Sequence, residues 1–260
     1  LNGTLIVKIG GSTLGSHDTT LEDIVALQKQ GKPVVVIHGG GKLITEWLKK
    51  QGVPSNFING ERVTDKLPLE VATAVLAGLV NKDIVSAINN LGGKAAGISG
   101  VDGSLIEGVA RDREKGFVGS VTAVNTGILS ALLDNGFVPV IAPIGMNWGE
   151  RTENDPGTLN YNADVVAGEI AAALKAEYLV FLTDVDGISG KDGNVIEKMD
   201  RNEAVGLIAS GTASGGMIPK IQSCLKAVNA GAVSRIIDGR RAHALLNELT
   251  GARSGTTIGL

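Results

Sequence analysis

Leu5-Ile6-Val7-Lys8-Ile9-Gly10-Gly11 decides how the rest of the chain is read. A β-prone run, apolar at every position but Lys8, stops at a glycine pair. Val34-Val35-Val36-Ile37-His38-Gly39-Gly40-Gly41 repeats the pattern. A strand that is apolar on both faces is buried on both faces, and such strands belong to parallel sheets covered by helices. The segments between the strands supply those helices. One helical stretch lies near Thr20–Gln30, and Leu43, Ile44, Trp47 and Leu48 then recur at helical spacing. Further strand patterns fall at Lys94–Ile98, Val138–Ile141, Leu179–Leu182 and Arg235–Ile237. Further helical patterns fall at Leu69–Leu91, Gly127–Leu133, Ala163–Leu174, Met217–Val228 and His243–Leu249. Leu69–Leu91 predicts one long amphipathic helix ending before Gly92-Gly93. Val53–Val63 reads as extended, with Asn59-Gly60 as a turn. Gly103–Ala123 alternates loosely, which predicts antiparallel strands outside the main sheet. The fold class is α/β with a mostly parallel sheet. No repeat or linker interrupts the 260 residues, although a soft division near residue 175 predicts two lobes, 1–175 and 176–260.

Composition removes several function classes. Lys plus Arg number 24 against 27 Asp plus Glu, so there is no basic footprint for nucleic acid and no acidic tail. Aromatics are 3%, too few for a base-stacking surface. No signal peptide is visible, and no apolar run approaches the ~20 residues of a membrane span. Cys224 is the only cysteine, which rules out a disulfide within the chain and fits a reducing, cytoplasmic setting. Its neighbours read as an apolar helix face, so it is expected in the core. His17, His38 and His243 lie far apart and lack metal-ligand spacing. Asp184-Val185-Asp186-Gly187 hints at a calcium loop, but the later ligands depart from that pattern, and no metal site is expected. The 37 glycines are about twice an average share of roughly 7%, and they cluster at strand ends.

That clustering locates the chemistry. Ligands of open parallel sheets bind outside the carboxyl ends of the strands. A strand, a glycine cluster and a helix start leave bare N–H groups and a helix dipole favouring an anion. A tight turn is the alternative reading of each cluster taken alone. The P-loop and the G-x-G-x-x-G dinucleotide fingerprint are both missing. Lys8 stands in a run that should be buried, so it must reach solvent at the strand end or meet an anion. Lys220 opens a helix, where the dipole disfavours a cation unless an anion is bound nearby. Asn160-Tyr161-Asn162-Ala163-Asp164 also opens a helix. One cap is needed there, and three candidates are present.

In order along the chain, these segments resemble the acetylglutamate kinases of arginine biosynthesis, within the amino-acid kinase fold. The likeness rests on Val36-Ile37-His38-Gly39-Gly40-Gly41, Asn59-Gly60-Glu61-Arg62-Val63-Thr64-Asp65, Asn160-Tyr161-Asn162-Ala163-Asp164, Thr183-Asp184-Val185-Asp186-Gly187 and Gly215-Gly216-Met217-Ile218-Pro219-Lys220. It runs nearly the full length, to Gly255-Thr256-Thr257-Ile258. The resemblance implies a three-layer αβα sandwich and transfer of the ATP γ-phosphoryl group to the γ-carboxylate of N-acetylglutamate. By resemblance, Lys8 and Lys220 would stabilise the transferring group and Asp164 would hold the two lysines. Gly10, Gly11, Gly40 and Gly41 would offer amides to phosphate and substrate. Arg62 would grip the substrate α-carboxylate, with Asn160 and Asn162 also in contact. Asp184, Val185, Asp186, Gly187, Ile188 and Ser189, with Thr212, Ala213 and Ser214, would cradle the nucleotide, although Thr212–Ser214 is more polar than the family pattern. ATP would arrive with Mg²⁺ held mainly by its phosphates.

The resemblance also implies a cytoplasmic homodimer joined through helices of the first lobe. With a first strand starting by Leu5 and no helix before it, insensitivity to arginine is the expectation. A kinase for carrier-bound aminoadipate shares nearly every motif and stays open as the alternative; the region around Arg62 discriminates. A binding module that has lost catalysis is the other class of reading, and the presence of Lys8, Asp164 and Lys220 argues against it.

Overall fold

The computed structural model describes residues 3–10, 19–58, 60–110, 112–153, 155–251 and 254–259. The strands are β1 (Leu5–Ile9), β2 (Val34–His38), β3 (Phe57–Ile58), β4 (Glu61–Arg62), β5 (Ala95–Gly100), β6 (Ile106–Ala110), β7 (Gly119–Val124), β8 (Val138–Asn147), β9 (Thr158–Asn160), β10 (Tyr178–Thr183), β11 (Lys198–Met199), β12 (Val233–Asp238) and β13 (Thr256–Ile258). The α-helices are α1 (Thr20–Lys29), α2 (Gly41–Lys50), α3 (Lys66–Thr73), α4 (Asn81–Asn90), α5 (Gly127–Asp134), α6 (Ala163–Ala173), α7 (Arg201–Ala209), α8 (Met217–Asn229) and α9 (Ala244–Thr250).

The two opening runs form the centre of the sheet. β1 lies between β2 and β10, parallel to both, and β12 follows parallel beyond β10. β2 continues to β8, whose first half also pairs with β5, again in parallel. Buried on both faces, these strands need apolar residues at every position, which is why they read as unbroken runs. Side chains alternate across the sheet. Leu5, Val7 and Ile9 pack with Ile24, Ile84, Ile88 and Leu245 on one face. Ile6 packs with Phe181, Val166, Ile170, Ile221 and Cys224 on the other. Cys224 is therefore core, as its neighbours predicted, and burial pushes its thiol well up. Truncating a fully buried ring such as Phe181 would cost about 3–5 kcal/mol.

Two expectations need correction, and one element was missed. β6 and β7 pair antiparallel, but they extend the main sheet instead of lying outside it, because β8 continues to Asn147 and pairs with β6. The long helix of residues 66–90 is not uniform. Ala74–Val80 is a π-helical segment between α3 and α4, and an apolar run of the same period gives no sign of it. This is the one helix, among the described residues, long and apolar enough to cross a bilayer by length and composition. Leu69, Ala72, Val75, Leu76, Ile84 and Ile88 on it are buried in the protein's own core. Lastly, α7 escaped the pattern reading; it is held by a capping box in which Asp200 and Glu203 serve each other's backbone amides.

Candidate active site

Period-two alternation aims Lys8. It shares a face with Ile6, the face covered by α6 and α8, and it stands one residue before the end of β1. Asp164 comes from the first turn of α6. Its own backbone N–H donates to Asn162 Oδ1 at 2.8 Å, so Asn162 is the cap that the asparagine-rich segment predicted. Lys220 comes from the first turn of α8. The last two helices meet through Gly168: a Cβ there would lie 2.8 Å from the Ser223 backbone. Asp164 is one helical turn before Gly168, and Lys220 one turn before Ser223. The backbone contact at one level thus sets the side-chain pairing at the next.

The result is one carboxylate between two ammonium groups. Lys8 Nζ lies 2.8 Å from Asp164 Oδ1, and Lys220 Nζ lies 2.9 Å from Oδ2. Both contacts are short, buried ion pairs, and the Lys220 contact is also a hydrogen bond. Burial alone would raise the Asp164 carboxyl, but the two lysine charges outweigh it and hold the group below the usual carboxylate range. Two cations and one anion leave an excess positive charge in a nearly water-free place.

Arg62 is set beside this centre by the β3–β4 hairpin. It is buried, and its guanidinium donates to Ser55 Oγ at 2.8 Å, to the Gly41 carbonyl at 2.9 Å and to Thr45 Oγ1 at 2.7 Å. The group sits 4.7 Å from the centre of the Phe57 ring. All these partners are neutral, and among the described residues no carboxylate pairs with Arg62. Arg62 lines a cavity of about 190 Å³ with Gly40, Gly41, Asn160, Tyr161 and Asn162. A second cavity, about 610 Å³, adjoins it through Gly60, Glu61 and Asn162, and includes Asp164, Gly215 and Gly216. Gly41 starts α2 behind Gly40, with no side chain capping the helix. A Cβ on Gly40 would press to 2.7 Å from Leu76, while one on Gly41 would meet open space. The first glycine answers to packing, and the second leaves room.

Other predicted site residues are placed differently. The Gly10 amide donates to the Leu182 carbonyl at 3.3 Å and closes the β1–β10 ladder, so it is not an outward-pointing donor. Gly11 lies outside the described residues, as do His17 and Asn59. Asn160 donates to Thr64 Oγ1 at 3.3 Å. In the segment after β10, Asp184, Val185, Asp186 and Ser189 are exposed, but Gly187 and Ile188 are buried. The Ile188 side chain belongs to the core, and its amide donates to Thr256 Oγ1. Ala213 is likewise a core residue, between half-buried Thr212 and exposed Ser214. The side chains of Ile188 and Ala213 thus face the core, which leaves their backbone groups for any nucleotide contact. Asp186 lines a third cavity with Arg241, separate from the one that Gly215 and Gly216 line next to Ser214.

Three features had no sequence signal. Lys115, buried in the loop before β7, pairs with Glu61 at 2.5 Å across 54 positions of chain. Ser55 and Thr45 serve Arg62 from outside its motif. Tyr161 was quoted but given no role; its hydroxyl donates to the Met146 carbonyl at 2.6 Å, and a Cβ on Gly108, Gly119 or Gly145 would strike its ring or hydroxyl.

Comparison with known proteins identifies the family. The family model described as the amino acid kinase family matches residues 3–238. The acetylglutamate kinase of Dehalococcoides mccartyi is 51% identical over 257 residues, covering 99% of this chain and 94% of that protein. Among solved structures, smu.665 of Streptococcus mutans superposes with a TM-score of 0.83 at 30% identity, covering 98% of each chain. N-acetylglutamate synthase of Neisseria gonorrhoeae, complexed with coenzyme A and N-acetyl-glutamate, gives 0.84 at 27% identity, covering 99% of this chain and 59% of that one. The matched span takes in Lys8, Asp164 and Lys220, and the chain belongs to the amino acid kinase family.

Proposed function

We propose that this protein transfers the γ-phosphoryl group of ATP to the γ-carboxylate of N-acetyl-L-glutamate, a step of arginine biosynthesis. The observation that carries the reading is the Lys8–Asp164–Lys220 centre beside a cavity whose Arg62 has only neutral partners. The acceptor carboxylate, with an ordinary pKa of about 4.3, is ionised at neutral pH and needs no general base. The obstacle is charge, since an anion must approach a polyphosphate. Fixed positive charge and positioning are what phosphoryl transfer requires. Lys8 and Lys220 would face the migrating group, and Asp164 would hold them at a fixed spacing. Arg62 would take the α-carboxylate in a two-pronged hydrogen bond, with Asn160 and Asn162 beside it. Gly40 and Gly41 would offer amides at the α2 N-terminus.

Residues 1–175 would bind the acceptor and 176–260 the nucleotide, with Asp184–Ser189 and Thr212–Ser214 contributing exposed groups and backbone. Mg²⁺ arriving with ATP would be held mainly by the phosphate oxygens. Bound there, it would offset part of the phosphate charge. Exposed Trp47, Leu67 and Leu79, on α2 and along the helix of residues 66–90, suit a homodimer through first-lobe helices; sedimentation as a monomer would reject that. The deciding assay is ADP release with N-acetylglutamate, run beside unacetylated glutamate and carrier-bound aminoadipate. Robust turnover with N-acetylglutamate alone is expected, and turnover only with another acceptor would overturn the assignment.

A further inference from the structure

His38 and Asn81 have no part in the chemistry above, yet they are fully buried polar residues beside it. His38 closes β2 and faces Ile9 in the ladder. Its Nδ1 lies 2.9 Å from the Gly39 carbonyl oxygen, and its Nε2 lies 3.3 Å from Asn81 Nδ2. The surroundings settle which atoms donate. Asn81 Nδ2 also lies 2.8 Å from the Val140 carbonyl and 3.3 Å from the Ile98 carbonyl, and both of those only accept. Asn81 Oδ1 accepts from Lys82 Nζ at 3.0 Å. Nδ2 is therefore the nitrogen; its two N–H groups face three acceptors, and since Nδ2 cannot itself accept, His38 Nε2 presents its lone pair there, as the accept-only Gly39 carbonyl beside Nδ1 also requires. The ring proton must then sit on Nδ1, where it donates to Gly39. Burial pushes the imidazole down to about 4; the Gly39 hydrogen bond opposes the shift, while Lys8 and Lys82 add to it. The ring is neutral at neutral pH.

A trans peptide holds its C=O and N–H in opposite directions. With the Gly39 carbonyl drawn to the imidazole, the Gly40 amide on the same plane faces away from the ring. Gly40 lines the cavity that holds Arg62. The π-helical segment Ala74–Val80 serves both ends of this arrangement. It delivers Asn81 into the sheet, and its Leu76 packs where a Gly40 side chain would stand. Widened turns of this kind frequently mark functional sites.

We propose that His38 is a positioning residue: its Nδ1–H, held in that tautomer by Asn81, fixes the Gly39–Gly40 peptide plane so that the Gly40 amide is presented to an anionic oxygen in the adjoining cavity. The identity of that oxygen rests on the phosphoryl-transfer reading, while the tautomer does not depend on it. Nitrogen-15 NMR of the full chain should show a His38 ring protonated at Nδ1 and unchanged between about pH 5.5 and 8. A proton on Nε2, or titration in that window, would overturn the proposal. His38→Asn places an amide nitrogen near the Nδ1 position, and His38→Gln places it nearer Nε2. His38→Gln should lower kcat/KM for the acceptor by about 10- to 100-fold at an unchanged melting temperature, with His38→Asn within about fivefold of the native enzyme. Equal effects of the two variants at matched melting temperatures would also overturn it. If either variant does not fold, the ring measurement on the native chain decides. If the native protein releases no ADP with N-acetylglutamate, the kinase reading falls and the ring measurement still decides this one.

Discussion

Two buried charge clusters in this molecule follow opposite rules. Arg235 on β12 and Glu248 on α9 are both nearly solvent-free and form an ion pair. Glu248 Oε2 also accepts the Ser254 amide at 3.1 Å. Every charge there has its counter-charge, and the pair ties a helix to the sheet. Around Asp164 the count fails, with two ammonium groups on one carboxylate. Arg62 nearby has no carboxylate at all among the described residues. A buried excess of like charge is costly unless something anionic completes it. The difference separates a structural pair from a site. The first is neutral in charge by the fold alone, and the second becomes so only when an anionic ligand arrives.

The sharpest way to break this contrast is to remove one charge from each cluster. Lys8→Ala or Lys220→Ala should lower kcat by ~10²–10³ while leaving a folded protein, because each removes a fixed donor to developing charge. Steady-state ADP release reads this directly, and near-normal turnover would remove that lysine from the mechanism. Glu248→Gln should do the reverse. It strands a buried guanidinium and should cost about 3–5 kcal/mol of stability, read by denaturant unfolding, with kcat per folded molecule retained. A matched loss of kcat in Glu248→Gln would erase the distinction between the clusters.

Arg62→Lys sharpens the comparison within the site. Lysine keeps the charge but loses the planar fork. The acceptor KM should rise about tenfold, on the scale of one charge-assisted hydrogen bond, with the ATP KM unmoved. An unchanged acceptor KM would release Arg62 from substrate binding.

A separate effect is expected in pH dependence, where two histidines have opposite signs. His38 is held near 4 against an ordinary 6.5. Its contribution is complete above about 6.5 and lost as pH falls towards 4, up to about 3 kcal/mol. Asp164, also lowered, adds acid sensitivity below its ordinary 3.8. His243 is raised by its hydrogen bond to buried Asp23 and by that carboxylate's charge. Its share is complete below 6.5 and fades as pH rises through the raised value. Melting curves across pH should show His38→Asn flattening the acid side and His243→Asn flattening the alkaline side. An exchange of those two results would contradict the burial assigned to each ring.

Legibility varied with the kind of interaction. Strands β1, β2 and β10 were readable because burial on both faces leaves few residue types that fit. The three-residue strands β9 and β13 were not, since their pairing is set by distant partners. Lys8 and Lys220 stood out because each broke a local rule, one in an apolar run and one at a helix start. Ile188 and Ala213 send their side chains into the core, which motif membership could not tell, because a motif does not separate backbone from side chain. The Glu61–Lys115 pair obeyed every local rule, so nothing marked it.

By itself the sequence determined a parallel sheet, glycine-ended strands and two lysines set where local rules disfavour them, since periodicity and burial act over a few residues. Only the tertiary structure decided that Lys8 and Lys220 share one carboxylate, that Arg62 is left with neutral partners, and that a π-helical segment delivers Asn81 to His38. Each of these is a contact between groups far apart in the chain, and its energy depends on a distance that no local pattern encodes.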